Sequence, residues 1–218
     1  MSNKKADYYR HVRTEILPHI LKGENRVLDI GCAEGYTGAE LKRTGKASFV
    51  AGIELDISSA QEATKRLDHV ITGDVQTISF NTAPFLSEPF DYLILSDVLE
   101  HLSDPWSTLQ RLVGLLRPGG KVIVSIPNIR NWRVLSKLII NDDWHYQSDG
   151  ILDFTHLRFF TLSTSRDLLI QAGLNIEQHT SLIHWKVDKL LNICTFGLLS
   201  GFFACQWLFI CTKQNGNR

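Results

Sequence analysis

The sequence predicts an α/β protein with a doubly wound, mostly parallel sheet. Two observations favour this class. Short runs rich in valine, isoleucine and leucine alternate along the chain with helix-like stretches, an order typical of parallel strand-helix-strand units. The runs also lack the polar alternation of strands with one solvated face, which indicates strands buried on both faces. With 218 residues and 44% hydrophobic content, the chain suits a single domain with a buried core.

The elements follow in a regular order. Five strands are predicted first, at 26–30, 48–54, 69–72, 91–96 and 121–126. Helices are predicted at 36–43, 58–67 and 105–116, with Ser58 as an N-cap and Pro105 in a first helical turn. The run RPGGK, from Arg117 to Lys121, is typical of a helix stop followed by a tight turn. Later strands are expected at 174–181 and 204–211.

Charge and cysteine content exclude several function classes. Lysine plus arginine and aspartate plus glutamate both total 23, so no basic surplus indicates a nucleic-acid partner. The four cysteines have no zinc-like spacing, and the N-terminal residues lack the apolar core of a signal peptide. A cytoplasmic location is therefore expected.

The loop after the first strand reads Asp29-Ile30-Gly31-Cys32-Ala33-Glu34-Gly35. Its glycines allow a sharp turn and a close approach of the backbone to a ligand. The spacing matches neither the G-x-G-x-x-G dinucleotide pattern nor the phosphate-binding P-loop. An acid two residues before the first glycine would repel a pyrophosphate, and instead suits a cation such as an ammonium group.

Two further acids follow the next two strands. Glu54 lies 23 residues after Gly31, a distance at which an acid can accept hydrogen bonds from ribose hydroxyls. Asp74 follows the third strand and could accept from an exocyclic amine, although aspartate is also a common turn residue. Together the acids indicate a nucleoside with a cationic amino-acid arm and no phosphate.

Five segments in this order resemble the class I S-adenosylmethionine-dependent methyltransferases. They are VLDIGCAEGY, GIELD, GDV, FDYLILSDVLEHL and LLRPGGKVIVSIPN. Ala33 stands where the family usually has its second glycine. The resemblance implies one Rossmann-like methyltransferase domain over residues 1–218, a seven-stranded sheet with an antiparallel last strand, and S-adenosylmethionine as cofactor. It implies that the cofactor contacts come from Arg13, Asp29, Gly31, Cys32, Ala33, Gly35, Tyr36, Glu54, Leu55, Asp74, Val75, Ser96 and Asp97.

His101 is the first candidate for a catalytic residue. In the resembled family the loop after strand four faces the reactive methyl group, and a histidine there can take the proton of a hydroxyl acceptor. His156 is the second candidate. The alternative is that Glu100 and His101 only brace the loop.

A metal site is another alternative for this loop. Asp97, Glu100 and His101 form a D-x-x-E-H pattern that His145 or His156 could complete. It is similar to the metal site of small-RNA 2′-O-methyltransferases, but Asp97 stands where that pattern prefers glutamate. We therefore assign no metal ligand and keep a metal-dependent ribose 2′-O-methyltransferase as an alternative.

Residues 127–162 form an insertion after strand five that is too long for a plain connection, and we predict a lid over the acceptor. It mixes aromatic with basic side chains, which suits a sugar, a nucleotide or an anionic acceptor, although the aromatic residues could simply pack the lid onto the sheet. The stretch DGILDFTHLRFFT is similar to methyltransferase domains of bacterial polysaccharide and glycosyltransferase-associated clusters, which implies a saccharide or glycolipid acceptor.

Both ends of the chain carry a prediction. Residues 1–25 are expected to be helical and to contain Tyr8, Tyr9, Arg10 and Arg13. The family resemblance implies that such a segment folds over the cofactor and that Arg13 pairs with its carboxylate; the alternative is a solvated helix. At the other end, 23 residues from Leu190 to Thr212 carry no charge. That length could span a bilayer, but we favour a core helix over 190–203 and a buried last strand. An exposed apolar surface that contacts a membrane or a lipid-linked substrate is the remaining alternative.

The resemblance therefore implies a methyltransferase that acts on an oxygen of a small or saccharide-type acceptor. A second hypothesis is a non-catalytic, cofactor-binding module similar to methionine-biosynthesis accessory proteins.

Overall fold

The computed structural model describes residues 11–80 and 83–214. Its centre is a seven-stranded sheet in the order β3-β2-β1-β4-β5-β7-β6. Strand β7 runs antiparallel to both of its neighbours, whereas β1 pairs in parallel with β2 and β4. The strands are β1 Arg26–Ile30, β2 Phe49–Glu54, β3 His69–Thr72, β4 Phe90–Ser96, β5 Leu116–Pro127, β6 Leu174–Leu182 and β7 Gln206–Lys213. The predicted fold class and the antiparallel last strand are confirmed.

Helices flank the sheet. They are α1 Tyr36–Arg43, α2 Ile57–Ala63, α3 Pro105–Gly114, α4 Trp132–Asn141, α5 Leu162–Gln171, α6 Lys186–Cys194 and α7 Ser200–Phe203. The chain order switches between β1 and β4, which lie side by side in the sheet. Ligands of open α/β sheets bind outside the carboxyl ends of the strands at such a switch point.

The prediction that strands are buried on both faces holds for the centre of the sheet. Strands β1, β2 and β4 are almost wholly buried. It is wrong for β3, where His69 and Thr72 are exposed. This strand forms one edge of the sheet, and an edge strand has a neighbour on one side alone.

Several predicted element boundaries are also wrong, and two of them have a clear physical reason. Helix α2 begins at Ile57, one residue before the predicted N-cap Ser58, because the Asp56 carboxylate accepts a hydrogen bond from the Ser59 N–H. The RPGGK run lies inside β5 and forms a bulge: Phe90 pairs with Leu116, and the next pair is Tyr92 with Lys121. The turn residues are therefore accommodated in the strand.

The helical prediction for residues 1–25 is wrong over the part that the structure describes. From His11 onward the helical structure is a single short 3-10 turn, Leu17–His19. Ile16 and Ile20 fix this stretch because both are fully buried against the core. Tyr8, Tyr9 and Arg10 lie outside the described residues.

The uncharged tail is half core and half surface. Strand β7 is buried and confirms the predicted last strand. The predicted core helix is wrong, because α6 and the loop after it expose Leu190, Ile193 and Phe196. In the described residues, no helix is long and apolar enough to cross a membrane.

Candidate functional site

The loop after β1 approaches its neighbours so closely that Gly31 must be a glycine. Its φ is +69°, and a Cβ built on it would lie 2.9 Å from Val98 Cγ2. Ala33 also has a left-handed backbone, with φ +48°, which costs an L-residue roughly 1–2 kcal/mol. The Ala33 N–H donates to Glu54 Oε2 at 2.8 Å, so the side chain at the end of β2 holds this loop in place.

Glu54 connects two loops through one carboxylate. Its Oε1 accepts from the Asp56 N–H at 2.9 Å, and only 9% of the residue is exposed. A carboxylate has about four acceptor positions, so these two backbone bonds leave capacity for the hydroxyls of a ligand.

Asp29 is nearly buried, with 4% exposed. Burial raises the pKa of its carboxyl to about 7, the nearby Arg13 guanidinium opposes this rise, and Glu54 adds to it. A cation bound beside Asp29 would favour the charged carboxylate.

Three acids line one cavity at the switch point. The cavity has a volume of about 570 Å³ and is lined by Asp29, Glu54 and Asp74 together with Gly31 and Leu55. Asp74 Oδ1 also accepts from the Gln76 N–H at 2.9 Å, so this carboxylate stabilises the turn in which it lies. The volume suits a nucleoside-sized ligand, and the set of acids suits one with hydroxyl, amine and ammonium donors. This smaller cavity therefore fits S-adenosylmethionine.

An ion pair separates the smaller cavity from a second one. Arg13 Nη1 lies 2.9 Å from Asp97 Oδ2. The other oxygen, Oδ1, accepts from Ser125 Oγ and from Gln206 Nε2, both at 2.8 Å. Asp97 itself has φ +56°, an unusual backbone conformation that these three partners stabilise.

The second cavity is larger, with a volume of about 1260 Å³, and it shares His11, Arg13, Asp97 and His101 with the smaller one. Much of its lining comes from the 127–162 insertion, which contains α4 and an irregular loop. The insertion docks on the His101 turn, because Leu157 N–H and Arg158 N–H both donate to the Glu100 carbonyl. The two cavities thus meet at a shared wall that holds His101.

His101 is oriented by the insertion. Its Nδ1 lies 3.2 Å from the Thr155 carbonyl oxygen and 3.0 Å from Thr155 Oγ1. Since a carbonyl can only accept, Nδ1 carries the hydrogen and Nε2 is the basic nitrogen of the neutral ring. In this tautomer the neutral ring can take up a proton only at Nε2.

Glu100, His101 and His156 form a cluster, with one ligand atom from each lying within 4.8 Å of the others. The His156 Nδ1 donates to the Ile151 carbonyl at 2.9 Å, and its Nε2 lies 4.0 Å from Glu100 Oε1. Two histidines were proposed to complete a D-x-x-E-H site, and the structure places His156 beside Glu100 and His101. His145 is outside the cluster, exposed and paired with Asp143, and Asp97 bonds Arg13 instead.

The profile of the methyltransferase domain family matches residues 2–179. The chain belongs to this family. It is an S-adenosylmethionine-dependent methyltransferase, as the class I resemblance implied, and S-adenosylmethionine is its cofactor. This result favours the enzyme over the non-catalytic accessory module.

Relatives of the methyltransferase act on different acceptors. It is 26% identical over 197 residues to a ubiquinone biosynthesis O-methyltransferase of Neisseria meningitidis serogroup C, covering 87% of this chain and 79% of that protein. It is 37% identical over 118 residues to a tRNA U34 carboxymethyltransferase of Citrifermentans bemidjiense, covering 50% of this chain and 34% of that protein. The structure of an S-adenosylmethionine dependent methyltransferase from Mesorhizobium loti has the same fold, with a TM-score of 0.62, 16% identity, and coverage of 91% of this chain and 96% of that one.

Most of the residues predicted to contact the cofactor line the smaller cavity of the methyltransferase. Those that do are Arg13, Asp29, Gly31, Cys32, Ala33, Glu54, Leu55, Asp74, Val75, Ser96 and Asp97. Within the described residues, the lining does not include Gly35 or Tyr36. Tyr36 Oη instead accepts a hydrogen bond from Arg66 Nη2 at 2.9 Å, and the Arg66 guanidinium lies over the tyrosine ring. Arg13, predicted to pair with the cofactor carboxylate, pairs with Asp97.

Sequence reasoning missed the residues that hold the site together. Thr155 orients His101, and Ser125 and Gln206 hold Asp97. Each lies at least 28 positions from its partner along the chain, and no local pattern marks such a pair. A weak signal was available for Ser125 alone, as a polar residue within a buried apolar strand.

Proposed function

We propose that the methyltransferase transfers a methyl group to a hydroxyl of a small acceptor held in the larger cavity. The observation that carries this proposal is the shared wall of the two cavities, which contains a histidine in the tautomer of a base. A small hydroxyl-bearing acceptor is also supported by the likeness to a ubiquinone biosynthesis O-methyltransferase.

The cofactor supplies an electrophilic methyl group on a positively charged sulfur. In the smaller cavity Asp29 would face the ammonium group, Glu54 the ribose hydroxyls and Asp74 the adenine amine. His101 Nε2 would take the acceptor's proton as the new oxygen–carbon bond forms and the sulfur–carbon bond breaks. An alcohol is a poor nucleophile until this proton leaves, so the base contributes together with the positioning of both reactants.

The lining of the larger cavity supports an acceptor with an aromatic or ring-shaped face. Trp132, Trp185 and Phe154 line it together with the cations Arg133 and Lys137. These residues suit a flat ring that carries a hydroxyl or an anionic group. A sugar ring fits the same description, but no relative described above is named for a glycan, and the polysaccharide-cluster resemblance remains a prediction.

Exchange of His101 tests the role of the base. We expect His101→Gln to lower kcat for a phenolic acceptor by about a hundredfold or more, with the Kd for S-adenosylhomocysteine unchanged in calorimetry. His145→Gln is the matched control, since this histidine is exposed and outside the cluster. Full turnover by His101→Gln would remove His101 from the mechanism, and a panel that adds sugars and a short RNA would identify the acceptor class.

A second candidate is a metal-assisted transfer, including the ribose 2′-hydroxyl reaction, and the cluster of Glu100, His101 and His156 favours it. Two imidazoles and a carboxylate suit a divalent transition metal, which would polarise the acceptor oxygen. The balanced overall charge gives no support to an RNA acceptor.

Chelation separates the two routes. If His101 acts as a base alone, dialysis against EDTA leaves turnover unchanged. If the cluster binds a metal, EDTA lowers turnover at least tenfold and added Mn²⁺ or Mg²⁺ restores it, while His156→Gln weakens Mn²⁺ binding in calorimetry.

A further inference from the structure

Helix α6 turns one acid inward and most of its apolar side chains outward. Asp188 is fully buried and accepts two hydrogen bonds from Arg133 Nη2, at 3.0 and 3.1 Å. Val187, Leu190 and Ile193 are 64%, 61% and 71% exposed. A surface helix of a globular protein normally buries its apolar stripe and exposes its polar residues. The apolar stripe of α6 is therefore exposed to solvent, which water alone disfavours.

The loop after α6 extends this exposed apolar surface. Phe196 is 93% exposed and Leu198 is 85% exposed. Phe196 has φ +50°, a left-handed conformation that is costly for a bulky side chain. We call the exposed side chains of Val187, Leu190, Leu191, Ile193, Phe196 and Leu198 the α6 surface.

The exposed charges of the segment that carries the α6 surface have one sign. Between residues 184 and 203 the charged residues are Lys186, Asp188 and Lys189. Both lysines are exposed, whereas Asp188 is buried against Arg133. An apolar surface flanked by exposed cations is complementary to an anionic membrane interface. A second copy of the chain in a symmetric contact would place these lysines against each other, which disfavours a dimer.

We propose that the α6 surface docks the protein on an anionic lipid bilayer. Lys186 and Lys189 contact the headgroups, and Phe196 and Leu198 enter the interface between headgroups and acyl chains. His184 and Trp185, immediately before α6, line the larger cavity. Docking thus places the mouth of that cavity beside the lipid, and the acceptor, which rests on the proposed function, is an amphiphile with a hydroxylated head and an apolar tail.

Co-sedimentation of the full chain with vesicles tests the docking. We expect binding to phosphatidylcholine vesicles that contain phosphatidylglycerol, weaker binding to pure phosphatidylcholine, and weakening by salt. Phe196→Asp/Leu198→Asp should lower the partition coefficient at least tenfold, and Lys186→Gln/Lys189→Gln should remove most of the preference for anionic vesicles. Leu21→Asp is the matched control, because Leu21 is 68% exposed and lies outside the α6 surface. Unchanged melting temperatures and S-adenosylhomocysteine affinity would show that the variants fold.

Three results would overturn the docking: no binding of the wild-type chain, binding that Phe196→Asp/Leu198→Asp leaves intact, or a dimer in sedimentation velocity that this variant abolishes without any vesicle binding. Failure of the docking and failure of the proposed function are distinguishable. Methyl transfer to a soluble acceptor without vesicle binding refutes the docking alone. Vesicle binding without transfer to any acceptor refutes the proposed function and leaves the docking in place.

Discussion

Asp29 combines a buried position with a proposed role that requires charge. Burial raises the pKa of its carboxyl to about 7, whereas in the unfolded chain an aspartate titrates near pH 4. The folded state therefore binds the proton more tightly. The resulting contribution to stability is complete below about pH 4 and is lost as the pH rises through about 7. Cofactor binding runs in the opposite direction, because the ammonium arm favours the charged carboxylate.

Substitution of Asp29 tests its effect on cofactor binding and its effect on the pH dependence of stability. Asp29→Asn should weaken S-adenosylmethionine binding by about tenfold to a hundredfold, since it removes a hydrogen bond to a charged group. It should also flatten the pH dependence of the free energy of unfolding between pH 5 and 8, with the gain in stability over wild type largest at pH 8. Calorimetry at pH 6 and 7.5 and urea unfolding at both ends of the range measure these effects. A variant whose unfolding keeps the wild-type pH slope would contradict the assignment.

Many residues that line the smaller cavity could be predicted because their positions depend on local geometry. A sharp turn after a strand favours glycine, and a ligand with hydrogen-bond donors favours acids at the strand ends. Gly31, Glu54 and Asp74, which were predicted on these grounds, all line the smaller cavity. Partners of these residues could not be predicted in the same way. The Arg13–Asp97 pair and the Tyr36–Arg66 contact depend on where distant segments meet.

At the scale of elements, an ion pair with a buried carboxylate joins α4 and α6. Arg133 on α4 donates to Asp188 on α6, and its guanidinium also lies over the rings of Trp132 and Trp185. Asp188 is wholly buried, whereas the Arg133 side chain is about one-third exposed. Removal of Arg133 would therefore leave a buried, unpaired carboxylate, whereas removal of Asp188 would leave a guanidinium that can reach solvent.

We predict unequal effects of removing the two partners. Arg133→Met leaves a buried carboxylate without its cation and should lower the free energy of unfolding by about 3 kcal/mol. Asp188→Asn leaves an arginine that can turn to solvent and should cost about 1 kcal/mol. Urea denaturation measures both values, and Arg133→Met/Asp188→Leu should recover much of the loss. Equal costs for the two single variants would contradict this account of the pair.

The bounds of some elements were predictable because turn residues enclose an apolar run. Strands β1 and β3 have the bounds that their apolar runs predict, because such runs end where turn residues begin. The start of α2 was missed because Asp56 competes with Ser58 for the capping position, and only the backbone geometry decides between them. The exposure of α6 was also missed, since an uncharged sequence does not reveal which face the fold leaves open.

At the scale of the whole molecule, the sheet brings the cavities that we propose for the methyl donor and the acceptor to the same edge. The smaller cavity lies at the switch between β1 and β4, and the 127–162 insertion builds much of the larger one beside it. The first location could be predicted from strand order. The second could be predicted in part, because residues 127–162 were expected to form a lid over the acceptor; the walls that come from the residues around α6 were not expected.

A crystal structure of the complex with S-adenosylhomocysteine tests the central claim most directly. The account predicts ribose hydroxyls within hydrogen-bond distance of the Glu54 carboxylate, adenine beside Leu55 and Asp74, and the sulfur facing the shared wall at His101. A nucleoside bound outside the smaller cavity, or a sulfur directed away from the larger cavity, would contradict it.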